Sequence, residues 1–318
     1  MEKRKLGNTD LIVPPLTFGG NVFGWTLDEA RSFEILDGLM DSELNFIDTA
    51  DVYSRWVPGN EGGESEVILG KWMKSRNNRS KVILATKVGS DMDSSGKKDL
   101  SAKHIKEGIE DSLRRLQTDY VDLYQSHYDD LSTPVEETLE AYDQLIRAGK
   151  VRWIGASNFS PERLKESLET SKRLSLPKYQ TFQPEYNLYQ REGFERELEK
   201  ICKDNQLGVI NYYSLASGFL TGKYRSEADL GKSARGSGIK NFLNERGFKI
   251  LKALDVVAEQ YNATPASVAL AWLIARPSVT APIVSVTSLT QLEDLNRATA
   301  LKLDNEEVSI LDDASAWS

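Results

Sequence analysis

Eight short apolar segments alternate with amphipathic helical patterns along nearly the whole of this 318-residue chain. The apolar segments cover residues 16–20, 45–48, 81–87, 120–127, 151–157, 181–187, 207–213 and 280–286. They are near-continuous apolar runs, which are typical of parallel strands that are covered on both faces. Helical segments between successive strands predict repeated βαβ units, each with a right-handed crossover.

Two of the intervening segments carry the sequence signals of helix ends. In residues 132–150, Ser132 or Thr133 is the expected cap, Pro134 falls in the first turn and Gly149 ends the pattern. In residues 157–169, Ser160 is the expected cap and a proline follows it. Capped helices of this kind support the alternation of strands and helices.

Eight βα units in one chain predict an α/β fold, a closed (β/α)₈ TIM barrel, as a single domain over residues 1–318. The alternative is an open, doubly wound sheet, which usually has a G-x-G-x-x-G turn after its first strand. Residues 16–24, LTFGGNVFG, do not keep that spacing, so the barrel is favoured.

Four pieces of the chain fall outside the βα repeat. An N-terminal β-hairpin is predicted with its tip at residues 7–10, GNTD, ahead of the first barrel strand. Residues 224–242 are polar and rich in Gly and Ser, and predict a mobile loop. Extra helices are predicted over residues 244–261 and 303–315.

The charge balance and the cysteine content limit the function classes. A net charge of −8 gives no broad positive field for nucleic acid or a membrane surface, so we expect a small-molecule partner. Cys202 is the single cysteine, which excludes an internal disulfide. The start of the sequence lacks the apolar core of a signal peptide, and no run of about 18 apolar residues occurs, so we expect a cytoplasmic protein. The oligomeric state stays open.

Polar residues end three successive predicted strands. Asp48 ends the second strand, Lys87 the third and His127 the fourth, while Tyr53 follows shortly after Asp48. In TIM barrels the carboxyl ends of the strands carry the active site, so we expect these side chains to meet. An ammonium beside a phenol favours the phenolate, and a carboxylate keeps a buried lysine charged. This combination suits proton transfer to a carbonyl oxygen, which an imidazole can orient.

Each of these four residues also has a structural explanation when it is taken alone, as a turn or helix cap, a core tyrosine or a loop residue. Their conjunction at successive strand ends favours catalysis. The other histidine, His104, falls in the charged first turn of a predicted helix and is interpreted as structural.

The sequence resembles the aldo-keto reductases, particularly bacterial members that are similar to the potassium-channel β subunits. The resemblance rests on NFIDTADVY, ATKVG, LYQSH, GASNFS, FQPEYN and LASGFLTGKY, in this order, and runs from Lys5 to Ala298. It implies a (β/α)₈ barrel that reduces aldehydes or ketones with a nicotinamide cofactor and without a metal. It further implies that Tyr53 is the general acid, that Lys87 and Asp48 tune it, and that His127 positions the carbonyl.

The resemblance also assigns cofactor-binding residues. It places the nicotinamide carboxamide on Ser157, Asn158 and Gln183, and the nicotinamide ring against Tyr212. It places the pyrophosphate on Leu215, Ser217, Gly218 and Lys223, and the adenosine end near Ser285, Thr287, Gln291 and Asp294. Thr287 stands where an arginine is common in the family. The habit of the family predicts NADP(H). Because this arginine is missing, NAD(H) stays as the open alternative.

Other functions fit the sequence less well. Gly218 and Gly222 enclose three residues and Tyr224 follows Lys223, so this segment lacks the spacing of a phosphate-binding Walker A loop. The G-x-S-x-G motif of many hydrolases is absent. A cofactor-binding redox sensor or regulatory subunit with slow turnover stays as the alternative.

Trp25 and Trp56 follow the first two strands and are candidates for the substrate pocket, which would suit bulky or aromatic carbonyls.

Overall fold

The computed structural model describes residues 1–91 and 95–317. The expected domain span of 1–318 therefore includes residues 92–94 and Ser318, which lie outside the described part. Within that part, no helix is both long enough and apolar enough to cross a membrane.

Eight parallel strands form one sheet, and each of the eight predicted segments overlaps one of them. The strands are β3 (Thr17–Gly19), β4 (Phe46–Asp48), β5 (Ile83–Val88), β6 (Val121–Ser126), β7 (Val151–Ser157), β8 (Thr181–Gln183), β9 (Gly208–Val209) and β10 (Ile283–Val284). Neighbouring strands follow the chain order from β3 to β9, and β10 pairs with β3. Ile283 N donates to Asn211 O at 2.8 Å, and Ala281 N to Val209 O at 3.2 Å. These bonds join the two edges of the sheet, so the predicted barrel is confirmed.

Eleven α-helices accompany the barrel within the described residues. They are α1 (Glu29–Asp41), α2 (Glu64–Arg76), α3 (Ala102–Leu116), α4 (Val135–Arg147), α5 (Pro161–Leu174), α6 (Glu192–Glu195), α7 (Leu198–Asp204), α8 (Glu245–Gln260), α9 (Pro265–Ala275), α10 (Leu289–Ala300) and α11 (Asn305–Ser315). Helices α8 and α11 are the two predicted extra helices.

The two predicted helix caps have different outcomes. Ser160 caps α5, because its hydroxyl accepts from Arg163 N at 3.2 Å. The prediction of a Ser132 or Thr133 cap for α4 is wrong. The Asp130 carboxylate takes both hydroxyls, at 2.5 Å from Ser132 and 2.6 Å from Thr133, and the capping position falls on Pro134 without a side-chain bond.

The predicted hairpin is present and covers the amino-terminal end of the barrel. Its strands β1 (Arg4–Lys5) and β2 (Ile12–Val13) pair antiparallel. Hairpin residues Leu6, Leu11 and Val13 belong to the same buried cluster as Phe46, Ala85, Leu123 and Ile210 of the barrel interior. The opposite, carboxyl end of the barrel is left for the loops that follow the strands.

Residues 224–242, for which the sequence predicts a mobile loop, contain local regular structure. They contain two 3₁₀ segments, Glu227–Lys232 and Gly236–Phe242. Ser226 begins the first of them with a capping box that includes Asp229. Arg225 holds the segment to α8 through two bonds to the Asp255 carboxylate, at 2.7 and 2.8 Å. These contacts give the segment local order, and its mobility stays a prediction.

Candidate active site

Strand alternation explains why polar side chains meet inside the barrel. Phe46, Ala85 and Leu123 belong to the interior cluster, and side chains two residues further along a strand face the same side. These positions are Asp48, Lys87 and Gln125. Asp48 is paired in register with Ala85, and Lys87 with Gln125, so the three side chains converge at the carboxyl end of the barrel.

Lys87 is the centre of the polar cluster. Its Nζ donates to Asp48 Oδ2 at 2.5 Å, to the Tyr53 hydroxyl at 2.8 Å and to Thr49 O at 2.8 Å. The side chains of Lys87 and Asp48 are fully buried. All three N–H donors of the ammonium therefore have partners inside the protein.

Asp48 is fixed through both carboxylate oxygens. Its Oδ1 accepts from Gln125 Nε2 at 3.0 Å and from Gln183 Nε2 at 3.1 Å. Its Oδ2 also lies 3.4 Å from the Tyr53 hydroxyl. A buried carboxylate with this many donors is held in one orientation. Gln125 is a site residue that the sequence analysis missed, although its position two residues before His127 on β6 places it on the inward face.

A turn beyond β4 brings Tyr53 back over the barrel. Tyr53 N donates to Ala50 O at 3.2 Å, which closes a tight turn. The next side chain, Ser54, is buried and donates to Phe23 O at 2.6 Å. The loop is thereby anchored to the segment after β3, and the phenol is held above Lys87. The four predicted catalytic residues lie together.

Burial dominates the proton affinities of the cluster. It lowers the pKa of the Lys87 ammonium, and the Asp48 carboxylate opposes that change. Burial raises the pKa of Tyr53 well above its usual value, and Asp48 adds to the rise. Burial and the nearby carboxylate therefore keep the phenol protonated. That Lys87 favours the phenolate form of Tyr53 stays a prediction.

His127 lies beside Tyr53 at the mouth of the barrel. Its ring stacks on that of Tyr128 with 5.0 Å between centroids, and it is 6.0 Å from the Tyr53 ring. Its Nδ1 is buried without a hydrogen-bond partner among the described residues. Burial, and then the charges of Lys87 and Lys98, hold the pKa of His127 well below its usual range. The imidazole is therefore neutral at physiological pH.

The residues assigned to the nicotinamide carboxamide form one connected group. Ser157 Oγ donates to Gln183 O at 2.8 Å, and Asn158 Nδ2 to His127 O at 2.9 Å. The Tyr212 hydroxyl donates to Asn158 Oδ1 at 2.7 Å. Asn158 adopts a left-handed backbone with φ of 57°, which asparagine tolerates better than most residues. These side chains lie next to the Lys87 cluster, because Gln183 contacts Asp48.

The residues assigned to the pyrophosphate lie in one tight turn after β9. Leu215 O accepts from Gly218 N at 2.9 Å. Ser217 and Gly218 have positive φ angles of 57° and 100°. A Cβ atom at Gly218 would lie 3.9 Å from the Nζ of Lys223, so the ammonium and the turn border the same space. Such a turn beside a lysine suits a phosphate group.

The residues assigned to the adenosine end follow β10. Ser285 Oγ donates to Gly19 O at 2.7 Å, which ties β10 to β3. Thr287 N donates to Gln291 Oε1 at 2.8 Å across the first turn of α10. Asp294 lies on α10, and its carbonyl accepts from the Ser267 hydroxyl at 3.1 Å. Arg31 of α1 reaches this region, with Nη2 at 3.4 Å from Thr287 O, and is a residue that the sequence analysis missed.

The comparisons with known proteins agree with this geometry. A model of the aldo/keto reductase family matches residues 15–316. The chain belongs to the aldo/keto reductase family.

Several relatives share nearly the whole chain. The "Uncharacterized oxidoreductase YrpG" of Bacillus subtilis (strain 168) is 36% identical over 98% of this chain and 95% of its own length. The "Aldo-keto reductase YhdN" of the same strain is 36% identical over 91% of this chain and 84% of its own length. A "Probable voltage-gated potassium channel subunit beta" of Arabidopsis thaliana is 33% identical over 94% of this chain and 91% of its own length. Family membership supports an oxidoreductase function.

Aldo-keto reductases generally use NAD(P)H, and the residues of this chain fit such a cofactor. The amide and hydroxyl groups of Ser157, Asn158 and Gln183 can both donate and accept, as a carboxamide requires. The turn at Gly218 has Lys223 beside it. Each group sits at the carboxyl end of the barrel, where cofactors bind in this fold.

The loops around Tyr53 add aromatic side chains to the site. Trp25 and Trp56 lie edge to face with 5.6 Å between centroids, and Trp56 is 6.2 Å from the Tyr53 ring. Both predicted pocket residues thus lie near the phenol. Arg235, which the sequence analysis missed, lies 5.1 Å over the Trp25 ring. The Asn21 side-chain amide is oriented so that its nitrogen donates to Ser285 Oγ at 2.8 Å. In this orientation the Asn21 side-chain oxygen accepts from Arg235 Nη2 at 2.9 Å.

Proposed function

We propose that this protein reduces aldehydes or ketones to alcohols, with NADP(H) as the hydride source and Tyr53 as the general acid. The observation that carries the proposal is the contact of Lys87 Nζ with Asp48 Oδ2 at 2.5 Å and with the Tyr53 hydroxyl at 2.8 Å. This buried chain of carboxylate, ammonium and phenol ends at the mouth of the barrel, where a carbonyl oxygen can approach. When bound, the reduced nicotinamide supplies the hydride.

Tyr53 supplies the proton that balances the reaction. As the carbonyl carbon is reduced, its oxygen becomes an alkoxide, which is a much stronger base than a phenolate. The raised pKa of Tyr53 keeps the phenol protonated until that charge develops. The Lys87 ammonium then stabilises the phenolate that remains, and Asp48 keeps the ammonium in place.

His127 orients the carbonyl group. Its pKa is well below the usual range, so the ring is neutral and donates one N–H. A neutral donor can bind the carbonyl oxygen beside Tyr53 without competing for the proton. Stacking on Tyr128 holds the ring plane in position.

Other features of the chain support the assignment of the partners. Ser157, Asn158 and Gln183 would hold the carboxamide, Tyr212 the nicotinamide face, and the Gly218 turn with Lys223 the pyrophosphate. Thr287 carries no positive charge for a 2′-phosphate. Arg31 would supply that charge, which favours NADP(H) over NAD(H). The net charge of −8 favours a small-molecule carbonyl over nucleic acid or a membrane surface as the partner.

Tyr53→Phe tests the proposal. We expect the variant to bind NADPH with unchanged affinity and to lose reduction of a panel of aldehydes, followed by NADPH absorbance, because only the proton donor is removed. Retention of more than about a tenth of the wild-type rate would refute Tyr53 as the principal acid.

A second candidate is a cofactor-binding regulatory or redox-sensing subunit. It is favoured by the 33% identity to the plant protein whose name describes a channel β subunit. Tight NADPH binding by the wild-type protein, without consumption of NADPH on any aldehyde of the panel, would select this function over the reductase.

A further inference from the structure

Aromatic rings border the approach to Tyr53. The Trp56 ring lies 6.2 Å from the Tyr53 ring, and 49% of the Trp56 residue is exposed. The Trp25 ring stands perpendicular to that of Trp56 at 5.6 Å. On the His127 side, Tyr128 presents a ring at 5.0 Å. Large, partly exposed aromatic faces around a reacting group favour a planar, apolar substrate body.

A lysine side chain lies at the His127 side of this aromatic mouth. The Nζ of Lys98 is 4.4 Å from the centroid of the Tyr128 ring. Lys98 belongs to the loop between β5 and α3, which follows the strand that carries Lys87. Its charge reaches the carbonyl-positioning histidine, because it contributes, after burial and Lys87, to the lowered pKa of His127.

The electrostatic setting leaves this ammonium available for an anion. Within residues 1–91 and 95–317, no carboxylate lies within 4.0 Å of the Lys98 ammonium. The aromatic face of Tyr128 attracts the cation and does not neutralise it.

The second cation of the mouth has a different position. Arg235 lies over Trp25 and contacts Asn21, and the Asn21 side chain lies 2.8 Å from Ser285 Oγ. Arg235 is thereby placed beside a residue assigned to the cofactor. Lys98 instead lies over Tyr128, whose ring stacks on the histidine that we assign to the carbonyl, and we take it as the cation on the His127 side of the mouth.

We propose that the preferred substrates are planar, aromatic aldehydes that carry a carboxylate, and that Lys98 binds this carboxylate. The inference rests on the proposed reductase function, because it names the substrate class of the same site. Lys98 takes no part in the proton transfer. It determines specificity by favouring an anionic substituent on the ring whose carbonyl group meets Tyr53 and His127.

The test compares 4-formylbenzoate with its neutral methyl ester, which has the same ring and the same carbonyl group. In the wild-type protein we expect kcat/KM to be higher for the anion, through a lower KM. In Lys98→Met we expect the ratio of the two kcat/KM values to fall about fivefold to tenfold, with the ester unaffected. Raising the ionic strength from about 0.05 M to 0.5 M should lower the wild-type ratio as well, since salt screens a partly exposed ion pair.

The neighbouring Lys97→Met provides the matched control, because Lys97 is exposed and lies in the same loop. We expect this variant to keep the wild-type ratio. An equal fall in both lysine variants, or an unchanged ratio in Lys98→Met, overturns the inference. Reduction of the ester in that case shows that the proposed reductase function stands without it.

A binding measurement gives a readout that is independent of turnover. Quenching of tryptophan fluorescence by the same two compounds, with the protein free of reduced cofactor, reports binding next to Trp25 and Trp56. We expect weaker binding of 4-formylbenzoate in Lys98→Met and equal binding of the ester. Equal affinity of both proteins for the anion overturns the inference even if neither compound is reduced.

Discussion

The Lys87 ammonium lies 2.8 Å from the Tyr53 hydroxyl, inside a barrel where its own side chain is fully buried. An isolated ammonium in such a place is unstable, because burial costs a charged group several kcal/mol. Asp48 offsets this cost at 2.5 Å, and Gln125 and Gln183 in turn fix Asp48. The cation that supports the phenol is therefore itself supported by residues of three other strands, β4, β6 and β8.

Lys87→Met should remove this support. The phenolate left by proton transfer would lose its charged donor, so we expect kcat/KM to fall by about 10²-fold to 10⁴-fold. Asp48 would also become an unpaired buried carboxylate, and we expect lower stability in urea unfolding. NADPH titration and circular dichroism check that the variant is folded. A weakly active variant with the wild-type pH profile would count against the proposed role.

The neutral state of His127 predicts the pH dependence of reduction. An ordinary histidine titrates near pH 6.5, but burial and two neighbouring lysines lower the pKa of this one. We therefore expect kcat/KM to show no step between about pH 6 and pH 8, and to decline only at lower pH. The pH profile of the wild-type protein measures this. A step near pH 6.5 that disappears in His127→Gln would contradict the neutral assignment.

The barrel and the polar side chains that meet at its carboxyl end could be predicted from sequence because both follow local patterns. Apolar runs that end in Asp48, Lys87 and His127 set the strand ends, and parallel packing brings them together. Gln125 escaped notice, since its contact with Asp48 depends on the register across β4, β5 and β6. No single segment of sequence contains that register.

Contacts between distant segments account for the other differences. Arg225 ties the start of residues 224–242 to α8 through Asp255, thirty positions away. Arg31 reaches Thr287 across 256 positions. The net pKa of Tyr53 depends on how deeply the assembled site is buried. Each of these quantities exists only after the chain has folded.

The position of Arg31 predicts cofactor preference. Arg31 is exposed and reaches Thr287 O at 3.4 Å, at the start of α10. If it meets a 2′-phosphate, Arg31→Ala should weaken NADPH binding about fivefold to tenfold and leave NADH binding unchanged. Fluorescence titration of the two cofactors gives both dissociation constants. Equal loss of affinity for NADPH and NADH would show that Arg31 does not contact the phosphate.

A buried acid behind the site predicts how stability changes with pH. Asp51 is 5% exposed, and its Oδ1 is buried without a hydrogen-bond partner among the described residues. Glu66 lies nearby, fully buried, and accepts from the Thr86 hydroxyl at 2.5 Å and from Arg115 Nε at 2.6 Å. Burial, and then the Glu66 carboxylate, raise the pKa of Asp51 to about 8, while Arg115 and Lys87 oppose the rise.

The sign of the effect follows from proton linkage. Between about pH 4, where an unfolded aspartate titrates, and about pH 8, the folded protein holds a proton that the unfolded chain has released. Asp51 thus lowers the free energy of unfolding as pH rises, by at most about 1.4 kcal/mol per pH unit. Asp51→Asn removes this penalty, so urea unfolding should show the variant gaining stability over the wild type from pH 5 to pH 8. A difference between Asp51→Asn and the wild type that stays constant from pH 5 to pH 8 would refute the assignment.

The packing of α2 against α3 gives a stability prediction with an internal control. A Cβ atom at Gly70 would lie 2.2 Å from the carbonyl oxygen of Arg115, and backbone atoms cannot yield as a flexible side chain does. Gly70→Ala should therefore push α2 from α3 and lower the free energy of unfolding by about 1–3 kcal/mol, as overpacking does. A Cβ atom at Gly193 of α6 would have no neighbouring heavy atom within 4 Å. Gly193→Ala should therefore be neutral or stabilising by up to about 1 kcal/mol. Urea unfolding of both variants measures the contrast. Equal stability of the two variants would contradict the close approach of α2 to Arg115. It would also contradict the buried contact of Glu66 with Arg115.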